Sequence, residues 1–500
     1  MDKVNHRASP LQINKDDFKE IGYRLVDTIA HFYETINEKP VTKGETPKQI
    51  QSILGDASLP EDRTPVAEII SNAADLLLNH SLFNGHPKFF GYITSSPTQI
   101  GALADLLASA VNANVGANIL SPVATAIEKQ TVKWLAEFIG ISATCGGILV
   151  SGGNMANLTG FLAARTAKAT KNLKEDGLRN TSGEMTFYCS KATHTWIEKA
   201  AVLFGHGLKA VRWIPVDADN KMDTSVLLKT IDDDIKNEKK PFLVIGNAGD
   251  VSTGAVDDLS VIAAICKTYN LWFHVDGAYG IPAAVIPQFK NLFNGIEQAD
   301  SIALDPHKWL YAPLEAGCTL VKNPQHLIDT YSSHPAYYNF GNSDDEPPLN
   351  YYEYGFQNSR GFRALKVWMA LQQAGKNGYI KMIAEDIQLS QFLFEQADKH
   401  PELEAVTQHL SITTLRYVPP GTSNDETYLN QLNEELLNEL QKGGEVFLSN
   451  AVIQSKYCLR ACIVNFRTSQ KDISDTIEII VRAGRQTYKK LFSDKSEKVK

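Results

Sequence analysis

Cysteine is scarce and scattered in this sequence. The six cysteines lie at positions 145, 189, 266, 318, 458 and 462, and none of them forms a CxxC pair. A zinc cluster or a disulfide scaffold needs paired spacing, so neither is predicted. A reducing compartment suits such a chain, and we expect the protein to be cytoplasmic.

Long apolar runs and basic blocks are also missing. No stretch of about 18 apolar residues that spans a bilayer occurs, and the opening MDKVNHRASPLQINKDDFKE lacks the apolar core of a signal peptide. Lysine and arginine number 49 against 57 for aspartate and glutamate, a net charge of −8, with no basic cluster. We therefore expect neither a membrane nor a nucleic acid as partner.

The length of 500 residues, 43% of them hydrophobic, predicts more than one folded lobe. Residues 15–39 repeat apolar positions with helical spacing, and residues 66–81 fit a second helix. Residues 1–98 are therefore predicted to form a helical arm that packs on another surface, such as that of a second subunit. Residues 99–373 alternate short apolar runs with helical stretches, whereas residues 374–500 suit a smaller α+β lobe.

The alternation in the middle of the chain predicts the α/β class, with a mostly parallel sheet and helices on both faces. Ligands of such sheets bind at the carboxyl ends of the strands, so the residues that follow the strands are the first site candidates. The expected strands are GGILV at 146–150, MTFYC at 185–189, FLVIG at 242–246, LWFHV at 271–275 and SIAL at 301–304.

Gly152, Gly153 and Asn154 follow the first predicted strand and precede a run of good helix formers. Backbone N–H groups exposed at the start of a helix bind phosphate. A Gly-Gly turn that only lets strand and helix pack closely explains the pattern equally well. The loop is neither a Walker loop nor the GxGxxG dinucleotide fingerprint.

The motif HVDGAYG ends the fourth predicted strand and places His274 and Asp276 on one face of it. Asp276 can enter a cleft there, and Gly277 and Ala278 leave room for a flat ligand. Capping of the next turn is the alternative role for Asp276. A metal site built from His274, Asp276 and His307 is disfavoured, because such a pair with a distant histidine is common by chance.

Lys308 follows the last predicted strand in DSIALDPHKWLYAP and precedes Trp309, Leu310 and Tyr311. These neighbours predict dry surroundings, which favour the neutral amine that attacks an aldehyde and forms a Schiff base. An ordinary surface lysine with an extended stem is the alternative. His307, next to it, can donate a hydrogen bond to a phosphate.

His194 in SKATHTWIEKA offers a flat ring near another strand end, although a lone histidine is more often a core or turn residue. A phosphate cradle, a carboxylate, flat space, an imidazole and a lysine together describe a pocket for pyridoxal 5′-phosphate. The carboxylate would keep the pyridine nitrogen of that cofactor protonated, so that the ring accepts charge from a developing carbanion.

The chain resembles the group II pyridoxal-phosphate decarboxylases, which include aromatic-L-amino-acid decarboxylase and glutamate decarboxylase. The likeness covers nearly the whole chain, including HPKFFGYITSSPTQIGALADLLASA, SGGNMANL, HVDGAYG, DPHKWLYAP, NSRGFRALKVW and LRACIVNFRT. It implies the aspartate-aminotransferase-like fold type I of pyridoxal-phosphate enzymes, in a homodimer whose active site lies near the subunit interface. It also implies removal of the α-carboxylate of an L-amino acid to give the amine and carbon dioxide.

The resemblance assigns roles to individual residues. Lys308 is implied to bind the cofactor covalently, and Asp276 to pair with the pyridine nitrogen. Ala278 would contact one face of the ring and His194 the other. The implied phosphate contacts are Gly152, Gly153, Asn154 and His307.

The resemblance also implies a proton donor and a carboxylate contact. Tyr337 in SSHPAYYNFG matches the loop tyrosine that protonates the carbon left by carbon dioxide, with Tyr338 as the second choice. Glycine and proline nearby suit a lid that excludes water, whereas the alternative makes both tyrosines ordinary loop aromatics. Arg460 matches an arginine near the substrate carboxylate or in the adjoining network.

The expected substrate is an aromatic amino acid, since Tyr92 and Ile93 in FFGYIT differ from the polar pair of glutamate decarboxylases. Gly116 departs from the family. In aromatic-amino-acid decarboxylases, an aromatic residue at this position lines the substrate pocket of the neighbouring subunit. Asp305 replaces the asparagine of some relatives, and its charge repels a phosphate at close range. We therefore expect Asp305 to brace the turn or His307.

Several alternatives stay open at this point. Relatives often have threonines where this chain has Asp250 and Val251. Whether this segment contacts the cofactor therefore stays open. The substrate could instead be glutamate, aspartate, 2,4-diaminobutyrate or another small amino acid. An aldehyde-forming enzyme or a carbon–carbon lyase of the same fold, a catalytically silent partner and a metal hydrolase are the other candidates.

Overall fold

The computed structural model describes residues 9–169, 172–178, 183–333, 348–422 and 425–497. Within them, no helix is long and apolar enough to cross a membrane.

The α-helices are numbered in chain order. Their bounds are α1 Lys15–Thr35, α2 Pro47–Leu54, α3 Val66–His80, α4 Gln99–Val111, α5 Pro122–Ile139, α6 Gly153–Lys168, α7 Leu173–Asp176, α8 Trp196–Leu203, α9 Thr224–Lys236, α10 Leu259–Tyr269, α11 Gln325–Tyr331, α12 Ala364–Lys399, α13 Glu426–Gly443 and α14 Gln470–Glu497.

The strands form a large sheet and a small one. Their bounds are β1 Gly146–Val150, β2 Met185–Ser190, β3 Val211–Ile214, β4 Lys240–Asn247, β5 Trp272–Asp276, β6 Ser301–Leu304, β7 Gly317–Val321, β8 Leu403–His409, β9 Ile412–Tyr417, β10 Ser449–Ile453 and β11 Lys456–Cys462.

The large sheet has the strand order β1-β7-β6-β5-β4-β2-β3. Only β7 runs against the others, so β1, β5 and β6 end at the same edge. The five strands predicted from apolar runs are all present, and the α/β class with a mostly parallel sheet is confirmed. The prediction omitted β3, whose sequence VRWI contains a charge, and β7, whose sequence is GCTLV.

The second sheet is antiparallel, with the order β10-β11-β9-β8, and packs with α12, α13 and α14. It forms the predicted small C-terminal lobe. The long helix α12 joins this lobe to the large sheet and is kinked at Gly375, whose φ of +61° suits glycine. The domain limits 1–98, 99–373 and 374–500 stay predictions.

The N-terminal helices agree with the sequence pattern. Asn14 caps α1 by accepting hydrogen bonds from the backbone N–H groups of Asp16 and Asp17. No residue of α1 is buried, although the helix contacts α3. An amphipathic helix with an exposed apolar face has a surface left to cover.

A buried ion pair fixes the start of the large sheet. Arg360 donates from Nη2 to Glu128 Oε1 at 2.6 Å and to the carbonyl oxygen of Leu149 at 2.6 Å. Glu128 Oε1 also accepts the backbone N–H of Leu149 at 2.9 Å. Both charged side chains are almost fully buried, at 1% and 0% exposure. The pair therefore joins α5 to β1, immediately before the glycine loop.

Candidate active site

The predicted cofactor residues meet in one cavity of ≈ 360 Å³ at the carboxyl ends of the strands. The loop after β1, the end of β5 and the turn after β6 each contribute to it. Its lining contains every residue predicted to bind the cofactor: Gly152, Gly153, Asn154, His194, Asp276, Ala278, His307 and Lys308.

The start of α6 forms a cradle of backbone N–H groups on one side of the cavity. The N-cap of α6 is Gly152, whose φ of +155° is a conformation that glycine adopts easily, and no side chain caps the helix. A Cβ on Gly152 would lie 3.2 Å from His307 Cε1, and one on Gly153 would lie 2.6 Å from Asp305 Oδ2. A side chain at position 153 would therefore collide with Asp305 and one at position 152 would crowd His307, whereas two glycines leave the helix start open to an anion.

The ring of His307 is held in one orientation. Its Nδ1 accepts the backbone N–H of Ala316 at 3.1 Å, so Nε2 carries the proton of the neutral ring. Burial lowers the pKa of His307 more than the neighbouring Asp305 raises it. Ser95 Oγ donates to the carbonyl oxygen of His307 at 2.9 Å. His307 is thus a neutral donor at the cavity wall.

The carboxylate of Asp276 is oriented by two donors. Trp196 Nε1 donates to Oδ2 at 2.8 Å, and the backbone N–H of Ala278 donates to Oδ1 at 3.2 Å. The second contact is the turn-capping role that the sequence left open. The carboxylate nevertheless lines the cavity, where it can accept a further hydrogen bond from a ring nitrogen.

His274 is part of the buried support beneath the cavity. Its Nδ1 lies 2.7 Å from Ser301 Oγ and its Nε2 lies 2.8 Å from Asn157 Oδ1. Burial lowers the pKa of His274 to about 4, so the ring is neutral. The described residues hold no group of three side chains suited to a metal ion.

The amine of Lys308 has a carboxylate beside it. Its Nζ lies 3.1 Å from Asp305 Oδ2, and its side chain is 21% exposed. Trp309, Leu310 and Tyr311 are buried as expected. The sequence pattern predicted dry surroundings for the amine, whereas the side chain of Lys308 is partly exposed and its Nζ lies beside a carboxylate. The local pattern did not show that the turn folds Asp305 back onto the amine.

The predicted substrate contacts lie beside the cavity or in its wall. Ile93 lines it, whereas Tyr92 is 60% exposed and does not. Arg460 lies outside the lining and donates from Nη1 to the carbonyl oxygen of Tyr92 at 3.1 Å and to Ser449 Oγ at 3.0 Å. Tyr337 and Tyr338 lie outside the described residues.

Sequence reasoning missed several residues around the cavity. Trp196, the donor to Asp276, is two positions after His194, but no local pattern links it to a carboxylate 80 positions away. Asn247 lines the cavity at the end of β4 and donates from Nδ2 to Ser190 Oγ at 3.0 Å. Its position at a strand end was the available signal.

Two departures from the family now have structural explanations. Asp250 and Val251 line the cavity, and the carboxylate of Asp250 accepts the backbone N–H groups of Ser252 and Thr253. This aspartate therefore braces its own loop. Gly116 is packed so closely on the carbonyl oxygen of Asn358 that a Cβ would overlap it.

The residues fit pyridoxal 5′-phosphate. The cavity combines a glycine cradle with bare helix N–H groups, an oriented carboxylate and an amine. The pyridoxal-dependent decarboxylase conserved domain matches residues 47–417 of the chain. The chain belongs to this family.

Individual relatives agree with this membership. The decarboxylase is 33% identical to the aromatic-L-amino-acid decarboxylase of Bacillus atrophaeus over 93% of this chain and 94% of that protein. It is 25% identical to Oryza sativa TDC, solved with PLP and tryptamine, with a TM-score of 0.88 over 96% of this chain and 99% of that one. The Catharanthus roseus tryptophan decarboxylase, solved with L-tryptophan, gives 25% identity and a TM-score of 0.86 over 96% of this chain and 100% of that one.

The family confirms three predictions. The protein is a carboxy-lyase, its cofactor is pyridoxal 5′-phosphate, and its substrate is an amino acid. The fold type predicted for pyridoxal-phosphate enzymes is confirmed by the same structural neighbours. The roles of individual site residues stay proposals.

Proposed function

We propose that this decarboxylase removes the α-carboxylate of an aromatic L-amino acid and releases the amine. The observation that carries the proposal is the single cavity in which Lys308, Asp276 and the glycine cradle meet. Ile93 and Leu314 add apolar surface to its wall. The names of the Bacillus atrophaeus and Catharanthus roseus proteins support an aromatic side chain on the substrate.

Each cavity residue has a proposed task. Lys308 would supply the amine that holds the cofactor covalently and that a substrate amine would replace. Asp276, oriented by Trp196, holds a proton on the pyridine nitrogen. When bound, the cofactor supplies a ring that accepts the electron pair left behind by the departing carboxylate. Ala278 and His194 both line the cavity and are proposed to enclose the ring.

Arg460 is proposed as a contact of the substrate carboxylate or of its surroundings. Its side chain is 3% exposed, yet Nε and Nη2 have no hydrogen-bond partner among the described residues. Buried guanidinium groups rarely leave donors unused. Its bond to the carbonyl oxygen of Tyr92 places it next to the segment that contributes Ile93 to the cavity.

A homodimer is proposed from the apolar surface around α4. Four apolar side chains on this helix are exposed to solvent, a surface that a second copy of the chain would cover. Helix α4 also packs against Pro313, five positions after Lys308: the two are so close that a Cβ on Gly101 would collide with the proline ring. The interface then adjoins the active site. The four side chains are those of Leu103, Leu106, Leu107 and Val111.

The cytoplasm is proposed as the compartment. All six cysteines are free thiols, and five of them are buried. A reducing environment keeps such thiols reduced.

Release of carbon dioxide and amine from a panel of L-amino acids tests the proposed substrate class. With added pyridoxal 5′-phosphate, tryptophan, tyrosine or phenylalanine is expected to give a kcat/KM roughly 100-fold above that of glutamate, aspartate and 2,4-diaminobutyrate. Turnover of the acidic amino acids without turnover of the aromatic ones would contradict the aromatic assignment. Aldehyde and peroxide in place of the amine would favour the aldehyde-forming alternative.

Replacement of Tyr337 with phenylalanine tests the proposed proton donor. Loss of the phenol should reduce amine formation by roughly 10²-fold or more while the absorbance of bound cofactor is retained. The adjacent Tyr338→Phe variant is the matched control and should keep most of the activity. Equal amine output from wild type and Tyr337→Phe would remove Tyr337 from the proposed reaction.

A further inference from the structure

Asp305 carries a buried carboxylate with unused hydrogen-bonding capacity. The residue is 1% exposed, and apart from the ion pair with Lys308, whose Nζ lies 3.1 Å from Oδ2, its carboxylate has no hydrogen-bond partner among the described residues. Buried carboxylates ordinarily accept several hydrogen bonds, because desolvation without them is costly. Since Asp305 lines the cavity, its missing donors point to a ligand.

The carboxylate lies against the proposed phosphate cradle. A Cβ on Gly153 would lie 2.6 Å from Oδ2, and a Cβ on Gly317 would lie 2.8 Å from Oδ1. Gly153 is the first residue of α6, whose N–H groups have no side-chain cap. A phosphate bound to these N–H groups is therefore in direct reach of Asp305.

Few groups near Asp305 can neutralise it. Lys308 Nζ is 3.1 Å from Oδ2 and His307 Nε2 is 3.8 Å from it. The charge of Asp305 also contributes to the pKa of His194 and of Cys318, raising both. Burial lowers the pKa of both histidines and raises that of the thiol, so these three groups are neutral near pH 7. Lys308 is the cation that balances Asp305.

Cofactor binding removes this balance. An amine that condenses with an aldehyde is no longer an ammonium group free to pair with Asp305. A phosphate that arrives at the cradle adds further negative charge beside the carboxylate. A carboxylate and a phosphate that lie next to each other in a buried site repel strongly. One proton held between their oxygens replaces this repulsion with a hydrogen bond.

We propose that Asp305 binds the cofactor phosphate through a proton held between its carboxylate and a phosphate oxygen. Cofactor binding is then coupled to the uptake of a proton at this position. An asparagine at position 305 donates an N–H to the phosphate and needs no such proton. The inference rests on the proposed function, because it takes the phosphate of pyridoxal 5′-phosphate as the ligand.

Titration calorimetry of the apoprotein with pyridoxal 5′-phosphate tests the coupling. Measurements in buffers of different ionisation enthalpy count the protons taken up on binding. Wild type is expected to take up about one proton more than Asp305→Asn near pH 8. Its Kd relative to that of Asp305→Asn should rise roughly tenfold per pH unit between about pH 7 and pH 9.

His307→Gln is the matched control, because it removes a neighbouring titratable group whose Nε2 lies 3.8 Å from Asp305 Oδ2. It should take up as many protons as wild type. Equal proton uptake by wild type and Asp305→Asn, or loss of the extra proton in His307→Gln, would overturn the inference. If wild type shows no imine absorbance with the cofactor, the proposed function fails, and the inference fails with it.

Discussion

Replacement of Lys308 with alanine is expected to abolish the imine absorbance of the bound cofactor and to reduce carbon dioxide release on the order of 10³-fold or more. Lys308 brings an amine to the cavity lining, and amines condense with aldehydes, whereas its carboxylate neighbour Asp305 cannot do so. Absorbance spectra of the cofactor-loaded variant and assays with the best substrate of the panel measure both effects.

Lys381→Ala is the matched control for this variant. Lys381 lies on α12, and its side chain is 77% exposed, so its loss should leave spectrum and activity unchanged. An imine that persists in Lys308→Ala, with activity near that of wild type, would show that a different amine binds the cofactor.

Replacement of Glu128 with alanine is expected to lower the free energy of unfolding by about 3–5 kcal/mol. The change leaves Arg360 as an uncompensated charge in the interior and removes the acceptor for the backbone N–H of Leu149. Because β1 leads directly into the glycine loop, weaker cofactor binding should accompany the loss. Urea unfolding followed by fluorescence measures the stability.

The control for this prediction is Glu137→Ala, on the same helix. Glu137 forms an exposed pair with Lys133 at 3.7 Å, and such pairs contribute at most about 1 kcal/mol. Equal losses in the two variants would contradict the structural role assigned to the buried pair.

The sheet was predictable because its strands are buried on both faces. A strand such as MTFYC or SIAL is then mostly apolar and stands out from the helical stretches around it. The helix after the glycine loop was also accessible, since its start and its good helix formers are adjacent in sequence. The strand VRWI could not be predicted in this way, because Arg212 interrupts its apolar run. The charge of Arg212 is paired with Asp234, which is distant in sequence.

The meeting of the proposed cofactor residues in one cavity was predictable because each ends or follows a strand of a mostly parallel sheet, and the fold gathers strand ends at one edge. Pairings between distant segments were not predictable. Glu128 and Arg360 are 232 positions apart, and Trp196 is 80 positions from Asp276. The contact of Asp305 with Lys308 spans only three positions but depends on how the turn folds.

The Lys308 amine is proposed as the covalent attachment point of pyridoxal 5′-phosphate. Borohydride reduction of the cofactor-loaded protein, followed by peptide mass mapping, tests it most directly. We expect a pyridoxyl group on the peptide that contains Lys308 and on no other lysine. A pyridoxyl group on another lysine, or an unmodified Lys308 peptide in reduced protein that retains the cofactor, would contradict it.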